Sequence, residues 1–254
     1  MIARKREEIN ALREGCRRTA RHLRMLCEMI APGTPPRELE MKAREMVEKD
    51  GDTMAFYGYA EGHPPYESGL CCSVNDVIVH SPAGQNNVRI EDGDVVSLDF
   101  GIIHKGFYSD MARTVIAGAK RDPQDVRLVK GTYEAADAGI AAARVGNTIG
   151  DIGYAVQKIA EKYHFGYPKN LCGHGVGRKL HEEPRVPNFG EPGTGQKIVE
   201  GLVIAIEPMM TLGSGELYVD KDKHSYRTKD GSRSAHVENT IIVTAHGPEV
   251  LTKE

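Results

Sequence analysis

The chain has 254 residues, 40% of them hydrophobic, enough to bury a substantial core as one large domain or two merged halves. Its formal net charge of -3 gives no reason to expect nucleic acid as a specific partner. The five cysteines, Cys16, Cys27, Cys71, Cys72 and Cys172, form no CxxC pair and no even framework, which argues against a disulfide scaffold or zinc ribbon and for a reduced cytoplasm.

The opening stretch "MIARKREEINALREGCRRTARHL" is charged throughout, without the apolar core of a secretory signal, and no apolar run approaches membrane-spanning length. Ile9, Leu12, Cys16, Leu23, Leu26 and Ile30 recur at helical spacing and Pro32-Gly33 stops them, so an amphipathic helix is expected over residues 3–30. Its arginines read as a solvated face in preference to a contact with a ribosome or another partner. "TPPRELEMKAREMVEKDG" signals a second helix, with Thr34 as cap, Pro35 in the first turn, and Leu39, Ala43, Met46 and Val47 as its buried stripe. Strand-like texture follows in "CCSVNDVIVHSP", "DGDVVSLDFG" and "FYSDMARTVIAG". Helical patterns resume in "DPQDVRLVKGTYEAADAGIAAARVG" and "NTIGDIGYAVQKIAEKYHFG", and strands run from there to the end.

The order of helices, then strands, thus occurs twice, which invites a search for an internal repeat. Laying Glu48-Lys49 over Glu161-Lys162 superimposes Leu39 on Ile152 and Met46 on Ile159. "DGDVVSLD" aligns with "EGLVIAIE" through Gly93 and Gly201, and an acid, Asp99 or Glu207, stands six residues after each glycine. Alternation puts each acid on one face with Ser97 or Ala205, and Val96, Leu98 and Phe100, or Ile204 and Ile206, on the other. Two α+β halves related by a pseudo-two-fold are expected, each offering a carboxylate from a central strand.

An ionised acid in an apolar strand is costly unless paired, hydrogen-bonded or bound to a cation. Asp110 in "FYSDMARTV" and Glu238 in "AHVENTIIVT" bring such acids to four, two per half and in matching places. Any one could pair with an arginine; four that converge on an axis repel unless cations lie between them. Oxygen-rich sites with one imidazole suit Mn, Fe, Co or Zn, and the surplus of carboxylates points to two ions sharing a water, an arrangement known from two-metal hydrolases, aminopeptidases among them. In "LCGHGVGRKLHEEPRV", glycines around His174 allow the close backbone approach of a ligand loop, whereas His181, seven residues on, is free to reach a substrate carbonyl. His63, His104, His164 and His246 take a structural reading.

At this point the chain resembles the type I methionine aminopeptidase family of pita-bread metallopeptidases. The resemblance rests on "SVNDVIVH" ending at His80, "SLDFG" with Asp99, "YSDMARTV" with Asp110, "CGHGVGRKLHEEP" with His174 and His181, "AIEPMM" with Glu207, and "ENTIIVT" with Glu238. These follow one another over nearly the whole chain, with Asp110 eleven residues after Asp99. The resemblance implies a single peptidase domain over 1–254, with pseudo-symmetric halves of roughly 31–120 and 121–250 whose antiparallel sheets enclose a dinuclear metal site. It also implies that Asp99 chelates one of two divalent ions (Co, Mn, Fe or Zn), that Asp110 and Glu238 bridge both, and that His174 and Glu207 hold the other. Glu207 would move the proton of a metal-bridging hydroxide, His181 would bind the scissile carbonyl, and His80 would sit near the scissile nitrogen. Tyr66, Cys71, Leu180 and His224 would line the methionine pocket. The implied substrates are nascent polypeptides whose second residue is small, and the implied state is a cytoplasmic monomer.

Several positions depart from the family pattern. Leu180 replaces a frequent phenylalanine, His224 stands where many relatives have tryptophan, "HSPAG" replaces "HGIP", and Asn239 follows the last acid where many have histidine. These changes leave room for a shifted first-residue preference; methionine is the reading kept, because a thioether needs only a flexible apolar pocket. An Xaa-Pro peptidase of the same fold and a non-catalytic binding protein built on it are the rival functions.

Overall fold

The computed structural model describes residues 1–60, 64–86 and 88–253, so His63 lies outside the described residues. Two helices, α1 (Arg6–Glu28) and α2 (Pro36–Lys49), precede β1 (Thr53–Met54), β2 (Leu70–Val74), β3 (Val77–Val79), β4 (Val95–His104) and β5 (Phe107–Ile116). Then α3 (Pro123–Ala142) and α4 (Ile149–Tyr163) lead into β6 (Cys172–Gly175), β7 (Glu182–Pro187), β8 (Val203–Ile206) and β9 (Met209–Thr211). The remaining strands are β10 (Leu217–Val219), β11 (Tyr226–Thr228), β12 (Ser234–His236), β13 (Asn239–Thr244) and β14 (Gly247–Val250). This is the α+β pita-bread architecture.

Helix starts differ from expectation at two points: α1 begins at Arg6, inside the expected 3–30, and the cap of α2 is another residue. Thr34 does not cap α2, which begins with Pro35 at the cap position and Pro36 in the first turn. The Thr34 hydroxyl instead donates to the Met29 carbonyl at 3.2 Å and accepts from Ala31 N at 3.3 Å, closing the turn out of α1. Proline lacks an N–H, so fewer donors at this start need a cap. The start of α3 does carry a side-chain cap, Asp122, which accepts from Gln124 N at 2.8 Å.

In the first half β4 is the central strand, with β2 and β1 along one edge and β5 along the other, all antiparallel. In the second half β8 is flanked by β6 and β13, with β7 and β14 outside them. Val96, Leu98 and Phe100 turn to the helices and pack with Leu23, Leu26, Leu39 and Val47. Ile204 and Ile206 do the same with Ile149, Ile152 and Ile241. Burying each such side chain contributes about 1.5–3 kcal/mol, which holds the helices on one face and leaves the other face of each central strand to the acids.

The helices repeat as well. The buried positions Pro36, Leu39, Glu40, Ala43 and Val47 of α2 coincide, in the expected alignment, with Ile149, Ile152, Gly153, Val156 and Ala160 of α4. Across the axis the halves meet reciprocally. Thr114 lies opposite Ser97 and Thr240 opposite Ala205, so the two threonines are counterparts. The Thr240 hydroxyl accepts from Asp110 N at 3.2 Å and donates to Asp110 O at 2.8 Å. The Thr114 hydroxyl accepts from His236 N at 2.9 Å and donates to His236 O at 2.7 Å.

This reciprocity corrects one expectation. Asp110 and Glu238 are not in matching places: Asp110 corresponds to His236, and Glu238 to Ala112, two residues along. Glu207 and Glu238 also lie just beyond the paired ends of β8 and β13, whereas Asp99 and Asp110 are inside β4 and β5.

Candidate metal centre

All eleven residues singled out in the sequence line one cleft of about 870 Å³: Tyr66, Cys71, His80, Asp99, Asp110, His174, Leu180, His181, Glu207, His224 and Glu238. The acids and His174 form its floor. Asp99, Asp110, His174, Glu207 and Glu238 are each at most 9% exposed, so bulk water screens none of these carboxylates. His174 sits in β6 between Gly173 and Gly175, where a Cβ would meet the Ala205 carbonyl at 2.4 Å or the Glu183 carbonyl at 2.3 Å. Only glycine lets the strand come this close to its neighbours.

The Nδ1 of His174 faces its neighbour's carbonyl, Gly175 O, at 2.9 Å. With the proton there, the Nε2 lone pair points at three acids: Glu207 Oε1 at 3.4 Å, Asp110 Oδ2 at 3.9 Å and Glu238 Oε1 at 3.9 Å. Burial holds the imidazole pKa down to about 3, so these contacts are not ion pairs. A lone pair aimed at ionised carboxylates is repulsive unless a cation or a proton lies between them. Atoms each about 2.1 Å from one ion stand about 3–4 Å apart, which is the spacing found here. Ligand atoms of Asp110, His174 and Glu238 all lie within 4.8 Å of one another. Asp99 Oδ1 and Glu238 Oε1 are buried without a hydrogen-bond partner among the described residues, as acceptors awaiting a cation would be.

The protonation energetics agree. Burial, joined by repulsion from Glu207 and opposed by the nearby His236, pushes Asp99 up to about 6. Burial and repulsion by Asp99 and Glu207 raise Asp110 well above the usual carboxylate range, and burial likewise raises Glu207 and Glu238. Such a cluster resists carrying its full charge until positive charge is supplied.

Above the floor, the His181 ring stands edge-on to His174 with centroids 4.4 Å apart, and its Nδ1 lies 2.5 Å from the Tyr59 hydroxyl. His80 holds a left-handed backbone, φ 62°, unusual for a residue with a side chain, and its ring packs edge-on against Tyr226. Phe56, Tyr66, Cys71 and Leu180 form an apolar cluster at the cleft wall, where the Tyr66 hydroxyl donates to Cys71 Sγ at 3.0 Å and the His224 ring meets Tyr66 edge-on. Of the histidines read as structural, His104 pairs with Asp52 at 2.7 Å, His164 caps α4 in a left-handed conformation, and His246 is exposed in the turn before β14.

Sequence reasoning missed Tyr59 and His236. Tyr59 lies in a loop with no periodicity to mark it. His236 shares a face of its extended segment with Glu238, two residues on, and this alternation was the available signal.

A buried carboxylate and imidazole cluster with unpaired ligand atoms, at the floor of an open cleft between two pseudo-symmetric sheets, defines the class: a metal-dependent hydrolase. The chain belongs to metallopeptidase family M24, whose model matches residues 10–245. It is 42% identical to a methionine aminopeptidase of Aquifex aeolicus over 254 residues, covering 97% of this chain and 96% of that one. The methionine aminopeptidase structure from Thermotoga maritima is 36% identical, covers both chains fully and superposes with a TM-score of 0.94. A prolidase from Pyrococcus furiosus shares the fold alone, at 24% identity and a TM-score of 0.75, with this chain spanning 66% of it.

Proposed function

We propose that this chain is a methionine aminopeptidase that releases the first methionine from peptides and nascent proteins with a small second residue. The observation that carries the reading is the buried His174 and carboxylate cluster, set beside an apolar pocket in a chain similar over its full length to methionine aminopeptidases. In this reading Asp99, Asp110, His174, Glu207 and Glu238 hold two divalent ions, which when bound supply an activated water and polarise the scissile carbonyl.

The protein's own groups do the rest. When the Tyr59 hydroxyl donates to His181 Nδ1, the ring's proton is on Nε2, ready to donate to the carbonyl oxygen as charge builds there. Glu207, kept protonatable by burial, carries a proton from the water toward the leaving amine. His80 stands beside the scissile nitrogen, its orientation fixed by the left-handed turn and by Tyr226. Phe56, Tyr66, Cys71, Leu180 and His224 receive the first side chain.

The reading extends to a single peptidase domain over 1–254 with halves near 31–120 and 121–250, supported by the reciprocal threonine contacts. It also extends to a monomer, and to the cytoplasm, where five free cysteines would stay reduced. No helix among the described residues is long and apolar enough to cross a membrane. The test is metal-free protein reconstituted with Mn, Fe, Co or Zn and given Met-Gly, Met-Ala and Xaa-Pro peptides. Metal-dependent release of methionine from the first two is expected; cleavage of Xaa-Pro peptides alone would assign the rival activity.

A further inference from the structure

His236 is the second-half counterpart of Asp110, since the relation that carries Thr114 onto Thr240 carries residue 110 onto 236. Where the first half aims a carboxylate at the centre, the second half aims an imidazole. Its backbone is clamped on both sides by the Thr114 hydroxyl, and its ring is 1% exposed. Nε2 stands 3.4 Å from Glu207 Oε2 but off the line of a hydrogen bond, and neither ring nitrogen has a hydrogen-bond partner among the described residues. A buried imidazole with both nitrogens unpaired is costly, so such a group signals a partner whose final position differs slightly. His236 is not among the residues that line the cleft, nor in the ligand group of Asp110, His174 and Glu238.

We propose that His236 is a positioning residue for Glu207: its Nε2–H donates to Oε2 and turns Oε1, the oxygen facing His174, toward the ion those two residues share. The inference rests on the metal-centre reading above. Glu207 then need not search for its orientation when the ion arrives, which tightens that ion more than the one on the Asp99 side.

Calorimetric titration of metal-free protein with Mn or Zn separates the two readings. Two ions per wild-type chain are required; none would sink the centre and this inference together. With the centre intact, His236→Met should weaken one of the two ions by about 10–100-fold and lower kcat with little change in KM, while His236→Gln, whose amide can still donate, stays within about threefold. Wild-type affinities in both variants would overturn the inference alone. Should His236→Met fail to fold, nitrogen NMR of the imidazoles in Zn-loaded wild-type protein decides. A proton on His236 Nε2 is expected, and a deprotonated or zinc-bound Nε2 would refute the positioning role.

Discussion

The two histidines of "GHGVGRKLH" answer to different demands. His174 is locked into a strand by flanking glycines with its lone pair on three acids, whereas His181 leans on Tyr59 above them. His174→Ala should therefore lose about one bound ion per chain by metal analysis, while His181→Ala keeps both and lowers kcat by about 10²–10³-fold. Equal metal loss in the two variants would contradict this division. Tyr59→Phe should follow His181→Ala in direction but more weakly, because only the tautomer preference is removed. The acids of the floor are legible in sequence because an acid inside an apolar strand demands a reason, and His174 because glycines crowd it. His236 makes no such demand, since a lone histidine in a strand is ordinary; beyond its alternation with Glu238, its place is identified by the matching registers of β5 on β4 and β13 on β8. Leu180 is legible as a departure, but its neighbours Phe56 and Tyr59 come from a loop that no periodicity links to it.

At the level of elements, α2 does more than cover the first sheet. Glu40 reaches over the entry to β2, accepting from Ser68 Oγ at 2.9 Å, Gly69 N at 3.0 Å and Leu70 N at 2.9 Å, with Arg44 at 2.6 Å balancing its charge. These bonds set the start of the strand that carries Cys71. Glu40→Ala strands two buried N–H groups and should cost about 2–4 kcal/mol in denaturant unfolding. The reciprocal threonines offer a second test at this scale. Thr240→Val removes the partner of Asp110 N and O and should cost about 1–3 kcal/mol, together with weaker metal binding, while a surface Thr→Val control changes neither. The repeated helix–sheet order is legible because buried stripes recur at one spacing. The two-residue offset is not, because sequence alignment sees acids, whereas register is fixed by which backbone groups pair.

For the whole molecule, the cluster ties stability to pH. Asp110, Glu207 and Glu238 have folded pKa values well above the usual range, so the folded metal-free chain holds more protons than the unfolded one, and stability falls as pH rises through those values. His174 works the other way, costing stability as pH falls below about 6.5, its unfolded value. Above that pH its contribution is flat and only the carboxylates act. The Tm of metal-free protein should thus fall further behind that of the metal-loaded protein, whose carboxylates are compensated, as pH rises above the usual carboxylate range. A gap between the two that narrowed over this range would contradict the account.

The offset between the halves has one more consequence. A site with true two-fold symmetry would present two equivalent approaches, and a peptide could lie across it in either sense. Here Ser73 occupies the place that His174 fills in the other half, and Asp110 the place of His236, so at these positions one side offers a hydroxyl and a carboxylate and the other two imidazoles. The two senses are no longer equal in energy. A chain with a beginning and an end is met by a cleft that has direction, and that polarity is written in two residues of strand register.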